Sequence, residues 1–154
     1  MKIFAVVSLL FLFVSCGSDT PSNPTPIDYT AQNEKEITDY LLANDLVAQK
    51  TASGLHYIIE NQGDGAQPTA SSNVTVAYKG YFLNGTVFDE SDEAGLSIGL
   101  NQVIPGWTQG IALFNEGGNG LLFVPAHLAY GSFDYNGIPG GSVLIFEVNL
   151  ISVN

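Results

Sequence analysis

Two histidines, one cysteine and no arginine are what this chain offers to polar catalysis. His56 and His127 lie far apart in sequence, and neither has a cysteine or H-E-x-x-H partner, so no zinc site is expected. Neither histidine stands beside a nucleophilic serine. GGNG at 117–120 follows a helical segment instead of opening one, so it is no phosphate cradle. The acidic run DESDEAG (89–95) departs from the EF-hand pattern at Glu93 and Ala94. Neither a metal nor another cofactor is expected. What remains is apolar and aromatic: Tyr78, Phe88, Val103, Ile104, Trp107, Tyr130 and Phe146, drawn from separate strands, a helix start and loops. Core packing accounts for the Val, Ile and Phe residues. It accounts less well for two tyrosines beside glycines, in YKGY (78–81) and AYGS (129–132), because a buried phenol needs a partner.

The single tryptophan, Trp107, follows a Pro-Gly pair in NQVIPGWTQGI (101–111). Taken alone this stretch reads as a core anchor, since an indole brings about 200 Å² of burial. Pro105 suits the first position of a helix, and Trp107, Ile111 and Phe114 fall at i, i+4 and i+7. Gly117-Gly118 would stop that helix.

The elements that must position these residues are mostly strands. LHYIIE alternates from Leu55, NQGDGAQPTASSN is a polar loop, and VTVAYKGYF is rich in β-formers. Asn84-Gly85 is the strongest short hairpin signal. LLFVP and the closing SVLIFEVNLISV supply further strands. Upstream, Asn33 and Glu36 resemble a capping box, and the apolar spacing predicts one helix over about residues 33–46. That helix is too short for a dimer zipper, so the chain is expected to be a monomer packing the helix on its own domain. The fold class is α+β, with a short helix laid across one face of an antiparallel sheet.

At the N-terminus, Lys2 precedes an apolar run from Ile3 to Val14, broken only by Ser8. Those twelve residues are too few to cross a bilayer as a helix, and they read as a secretory signal over residues 1–15. The stretch also resembles a bacterial lipoprotein signal ending Val14-Ser15-Cys16, with Phe13 where leucine is usual. That resemblance implies lipidation of Cys16, the sole cysteine, and attachment to a bacterial envelope membrane, at its periplasmic side or the cell surface. Residues 16–31 read as a Pro/Ser/Thr-rich tether, 32–50 as the helical segment and 51–154 as the main domain. The net charge of −11 becomes −12 once Lys2 is removed, with three lysines facing fifteen acids. Such a surface repels nucleic acid and anionic lipid, leaving acyl chains as the membrane attachment.

Four motifs, in order, resemble the FKBP-type peptidyl-prolyl cis-trans isomerases. VTVAYKGYFLNGTVFDES (74–91) is similar to the family's V-x-V-x-Y-x-G-x-L-x-x-G-x-x-F-D-S-S, and VIPGWTQGIALF (103–114) to V-I-x-G-W-x-x-G-L-x-x-M. VPAHLAYG (124–131) is similar to I-P-x-x-L-A-Y-G, and IPGGSVLIFEVNLISV (138–153) to I-P-P-x-x-x-L-x-F-x-V-E-L-L. The resemblance implies a bent five- or six-stranded antiparallel sheet wrapped around one short helix, here with an added N-terminal helix. It also implies cis–trans rotation about X-Pro bonds of unfolded or secreted proteins and an affinity for tacrolimus-type macrolides.

On the same resemblance Trp107 is the floor of a proline pocket, with Tyr78, Phe88, Val103, Ile104 and Phe146 as walls. The Ile104 N–H and Tyr130 hydroxyl donate to substrate carbonyls. Asp89 sits at the pocket edge, Ile138 in an overhanging loop, and Leu96 completes the substrate contacts. The family often places an arginine a few residues after F-D; here the stretch is Glu90-Ser91-Asp92-Glu93. The loop 131–137 has Phe133 and Tyr135 where the family often has histidine. A binding or chaperone module that keeps the pocket without catalysis is the alternative reading.

Overall fold

Residues 24–154 are described by a computed structural model; the signal, Cys16 and the first part of the tether lie outside this range. The first element is helix α1 (Thr30–Ala43), followed by β1 (Gln49–Lys50), β2 (His56–Asn61), β3 (Asn73–Phe82), β4 (Val87–Glu90) and β5 (Leu96–Gly99). Helix α2 (Pro105–Ile111), β6 (Asn119–Val124), a 3-10 turn (Ala126–Leu128) and β7 (Leu144–Val153) complete the chain. All pairings are antiparallel, in the order β1-β2-β6-β7-β3-β4, and β5 also pairs with β3. The short β1 and β5 bring the sheet to seven strands. β1 falls inside the segment that the sequence assigns to the N-terminal helix, so the sheet begins at Gln49. No helix among the described residues is long and apolar enough to cross a membrane.

Period-two alternation sends the strands' apolar residues to two cores. Val74, Val76, Leu122, Val124, Phe146, Val148 and Leu150 join Trp107, Ile111 and Phe114 on the α2 side. Phe123, Val143 and Ile145 meet Ile37 of α1 on the other. The Asn84-Gly85 turn forms as its sequence predicts, with Gly85 at φ 83° and its N–H donating to the Phe82 carbonyl at 2.8 Å.

Both helices differ from expectation at their ends. α1 begins at Thr30 behind Tyr29, and Asn33 lies inside the helix, fully buried, so it caps nothing. Its amide is taken by tertiary partners instead. The helix stops at Ala43, because Asp45 turns to φ 53°. α2 stops at Ile111, well before Gly117-Gly118, and Phe114 is buried from the turn that follows. Its start is as expected, with Pro105 in the first turn.

α2 lies against β6 without room for side chains at two positions. A methyl group on Gly106 would sit 2.4 Å from Val124 Cγ1, and one on Gly110 2.5 Å from Leu122 Cδ1. Both neighbours are fully buried and cannot swing to solvent. Alanine favours a helix over glycine by about 1 kcal/mol, whereas overpacking a core costs about 1–3 kcal/mol. Gly110→Ala is therefore expected to lower the melting temperature. A variant as stable as the parent would show that the contact relaxes freely.

Candidate active site

Four rings converge where α2 starts. Trp107 meets Tyr78 edge-on at 4.8 Å between ring centroids (85°) and Phe146 at 5.4 Å (82°). Phe146 in turn meets Phe88 edge-on at 5.6 Å (89°), and Phe88 lies 5.0 Å from Phe82. Edge-to-face pairs of this kind add about 0.5–1.5 kcal/mol each beyond area burial. The register of the sheet places them: Gly80 opposes Phe146 on β7 and Asp89 on β4. A side chain at Gly80 would strike Phe88 Cζ at 2.6 Å, so glycine there is what lets the two phenyl rings meet.

Trp107 is only 5 % exposed, and its Nε1 is buried with no hydrogen-bond partner among the described residues. Leaving that donor unpaired costs about 1–3 kcal/mol. The ring's orientation is set by its aromatic neighbours.

Above the cluster, Phe82, Val87, Phe88, Asp89, Tyr130, Tyr135 and Ile138 line a cavity of about 510 Å³ together with the Asn136-Gly137 turn. A somewhat larger hollow, about 560 Å³, is lined by Glu60, Lys79, Glu147 and Asn149 among others. Lys79 and Glu147 alternate with the ring-bearing Tyr78 and Phe146, so this hollow opens on the opposite face of the sheet. Its lining mixes carboxylates and amides with Lys79, Tyr81 and Leu121, and of the four clustered rings only Tyr78 belongs to a residue that borders it. The smaller cavity is the one built on the rings.

Of the residues named from sequence, Tyr78, Phe88, Trp107 and Phe146 come together as the ring cluster. Phe88 and Asp89 join it to the cavity, and Tyr130 and Ile138 form the cavity's other side. Trp107, Tyr78 and Phe146 do not themselves line the cavity, because the indole and Phe146 are buried beneath it, and neither do Val103 and Ile104, which are half-buried against the same core. The Ile104 carbonyl accepts the first helical N–H groups of α2, from Trp107 and Thr108. Its own N–H donates to no backbone carbonyl among the described residues. Leu96 is not brought to the site: it pairs with Val76 at the start of β5, 44 % exposed, and does not line the cavity. Phe133 is also exposed and outside the lining.

Asp89 has a partner that the sequence pattern does not show. The Tyr78 hydroxyl donates to Asp89 Oδ2 at 2.6 Å, in the absence of any arginine. Ser91 ties the two strands locally, its Oγ accepting the Tyr78 N–H and its own N–H donating to the Tyr78 carbonyl, each at 3.0 Å. Burial, and then the Asp89 bond and charge, push the Tyr78 phenol well above the usual tyrosine range. Burial raises Tyr130 too, helped by Tyr135 and Asp89.

Sequence reasoning missed Phe82 and Val87, and it named Tyr135 only as a loop residue standing where the family often has histidine. The missed signal is a second Asn-Gly. Asn136 (φ 46°) and Gly137 (φ 85°) both take positive φ, which is the type I′ pattern. Tyr135 and Ile138 exchange backbone hydrogen bonds across it at 2.9 and 2.8 Å. This small hairpin lays Tyr135 flat on Tyr130, with centroids 4.8 Å apart and planes at 10°.

An antiparallel sheet packed on a short helix, with an aromatic cluster at the helix start and a cavity beside it, is the class of fold that the described residues define. The chain belongs to the FKBP-type peptidyl-prolyl cis-trans isomerase family, whose sequence model matches residues 65–151. It is 41 % identical over 126 residues to the FKBP-type isomerase FkpA of Aeromonas hydrophila, covering 79 % of this chain and 47 % of that protein. It is 46 % identical over 104 residues to the outer membrane protein MIP of Legionella longbeachae, covering 66 % and 45 %. The crystal structure of FkpA from Escherichia coli superposes with a TM-score of 0.72 at 36 % identity, covering 81 % of this chain and 61 % of that one. The chain thus spans just under half the length of the curated relatives it matches.

The raised phenols carry a pH signature. A folded-state pKa above the unfolded value of about 10 gives stability that is complete below pH 10 and lost as pH rises further. Alkaline titration followed at 295 nm is expected to lag behind that of the urea-unfolded chain. Tyr78→Phe should remove part of the lag; an unchanged lag would mean that neither burial nor the Asp89 contact raises this phenol.

Proposed function

We propose that the chain is a peptidyl-prolyl cis-trans isomerase acting on X-Pro bonds of proteins outside the cytoplasm. The observation that carries this reading is the cavity bounded by Phe88, Asp89, Tyr130 and Ile138 over a ring cluster floored by Trp107. Family membership and the isomerase names of its relatives support it. Rotation about X-Pro is slow because it gives up amide resonance, a barrier of about 20 kcal/mol. No bond to the substrate has to form, so neither nucleophile nor metal is required.

The planar amide is more charge-separated than the twisted one. An apolar wall of rings therefore favours the twisted state, which is the differential stabilisation that catalysis needs. In this reading the proline ring enters beside Phe88, and the indole, almost wholly covered, supports that wall from below. The free N–H of Ile104 and the hydroxyl of Tyr130 hold the flanking carbonyls. Asp89, bonded to Tyr78, fixes the phenol that closes one side. The ligand classes are unfolded proline-containing chains and tacrolimus-type macrolides, and the protein works as a monomer.

The N-terminal sequence and the names of the relatives support a location at the bacterial envelope. A lipid on Cys16 would hold the domain at a bacterial envelope membrane through a tether containing Pro21, Pro24 and Pro26. The outer-membrane name of the Legionella relative agrees with an envelope site. Cys16→Ala, or globomycin treatment, is expected to leave the protein unprocessed or unlipidated. A soluble product of unchanged mass from the Cys16→Ala strain would instead mark an ordinary secretion signal.

A protease-coupled assay with a prolyl peptide tests the activity. Tyr130→Phe removes one neutral hydrogen bond worth about 0.5–1.5 kcal/mol, a loss of about 2- to 13-fold in kcat/KM. Phe88→Ala should lose more, by opening the wall to water. Trp107 emission should change on saturation with tacrolimus. Variants as fast as the parent would remove this cavity from the reaction, and macrolide binding without rate acceleration would establish a binding module instead.

A further inference from the structure

The loop that carries Tyr130, Tyr135 and Ile138 runs from Ala126 to Gly141, and one side chain of α1 grips both of its ends. Asn33 Nδ2 donates to the Gly141 carbonyl at 2.8 Å, and its Oδ1 accepts the Ala126 N–H at 2.8 Å. The residue is fully buried, and a further bond from Nδ2 to Glu36 Oε2 at 3.0 Å fixes the direction of the amide. Inside the loop, Gly141 N–H donates to the Gly131 carbonyl at 2.9 Å, and Gly131 N–H to the Ala126 carbonyl at 2.8 Å. The residue after Ala129 and before Gly131 is Tyr130. Its backbone is therefore held within the same ring of hydrogen bonds that Asn33 closes.

Docking of the helix does not call for an amide here. Ile37, one turn further on, already packs α1 against Phe123, Val143 and Ile145. Burying a carboxamide is unfavourable unless each polar atom finds a partner, so an apolar residue would serve docking alone as well or better. A carboxamide offers a donor and an acceptor on one rigid plane, and these match one carbonyl and one N–H at the two loop ends. Aspartate lacks the donor, and serine is too short to reach both.

We propose that Asn33 is a positioning residue for the prolyl site: it fixes the span of the 126–141 loop and so sets Tyr130, Tyr135 and Ile138 over the cavity. This rests on the isomerase reading given above. α1 is then part of the working site as well as a cover for the far face of the sheet.

The test uses the full chain with Asn33→Ala, the milder Asn33→Ser, and Ile37→Val as a control on the same helix face. Amide hydrogen exchange at Gly131, Ile138 and Gly141 and kcat/KM on a prolyl peptide are measured well below every melting transition. Expected are faster exchange at those three amides in both Asn33 variants and a loss of about 2- to 30-fold in kcat/KM. Ile37→Val should show neither. In a Tyr130→Phe background the Asn33 substitution should cost less than in the parent, because it acts through that loop. Unchanged exchange at the three amides overturns the proposal, as do activity losses that simply follow stability across all variants. If the parent has no isomerase activity, the functional reading falls, and the exchange data alone decide whether Asn33 holds the loop. Should Asn33→Ala fail to fold, Asn33→Ser carries the same comparison.

Discussion

A methyl group added to Gly106 or Gly110 would meet buried Val124 or Leu122 at about 2.5 Å, so α2 rides on β6 as closely as backbone permits. That approach sets the height of the indole. Trp107, one residue after Gly106, is pressed between Tyr78 of β3 and Phe146 of β7, at centroid distances of 4.8 and 5.4 Å. Because Tyr78 is fixed by the indole edge, its hydroxyl reaches Asp89 on the neighbouring strand. The Phe88–Phe146 contact follows from the same layer, through the missing side chain of Gly80. One spacing between a helix and a strand thus propagates through four rings to the carboxylate at the cavity edge.

The electrostatics of the site follow from a scarcity of cations. Lys35 pairs with Asp39, and Lys50 with Glu34, both at α1 and both solvent-exposed, where such pairs contribute little. Neither is near Asp89. Asp89 takes its hydrogen bond from the Tyr78 hydroxyl, and burial together with that bond holds the phenol protonated far above its ordinary range. A neutral donor bonded to an exposed carboxylate keeps charge out of the ring cluster. In the isomerase reading proposed above, low polarity around a twisting amide is what such an arrangement would supply.

Sequence patterns located most of the long strands and most of the aromatic cluster, for identifiable reasons. Alternation in VTVAYKGYF and VLIFEVNLISV reports which face is buried, and that fixes Tyr78 and Phe146 on the α2 side. Pro105 and the spacing of Trp107 and Ile111 located α2. What failed was punctuation. Asn33 with Glu36 has the form of a capping box, yet both side chains lie inside a helix begun at Thr30, and the Asn33 amide answers backbone groups far along the chain. No local rule can report a partner 108 residues away. Gly117-Gly118 looked like a helix stop, but α2 had already ended, and the pair instead leads into β6. Leu96 shows the opposite error, a residue assigned to the site by likeness whose strand pairing carries it elsewhere.

The sheet therefore separates two kinds of work. On one face the rings and α2 build a wall whose shape is settled by close packing and needs few hydrogen bonds. On the other face α1 covers Phe123, Val143 and Ile145 with an ordinary apolar stripe. Where these layers meet, at the ends of the 126–141 loop, packing alone is not enough, because Tyr130 and Tyr135 are exposed at 38 % and 51 %. Side chains that stand in solvent lose little free energy by moving, so their positions must come from the backbone beneath them. Here the backbone is tied by a type I′ turn at one place and by a buried carboxamide at the base. The isomerase reading proposed above asks for a wall that does not yield when the amide twists. In this chain the rigidity of the exposed half of that wall is borrowed from a helix on the far side of the sheet.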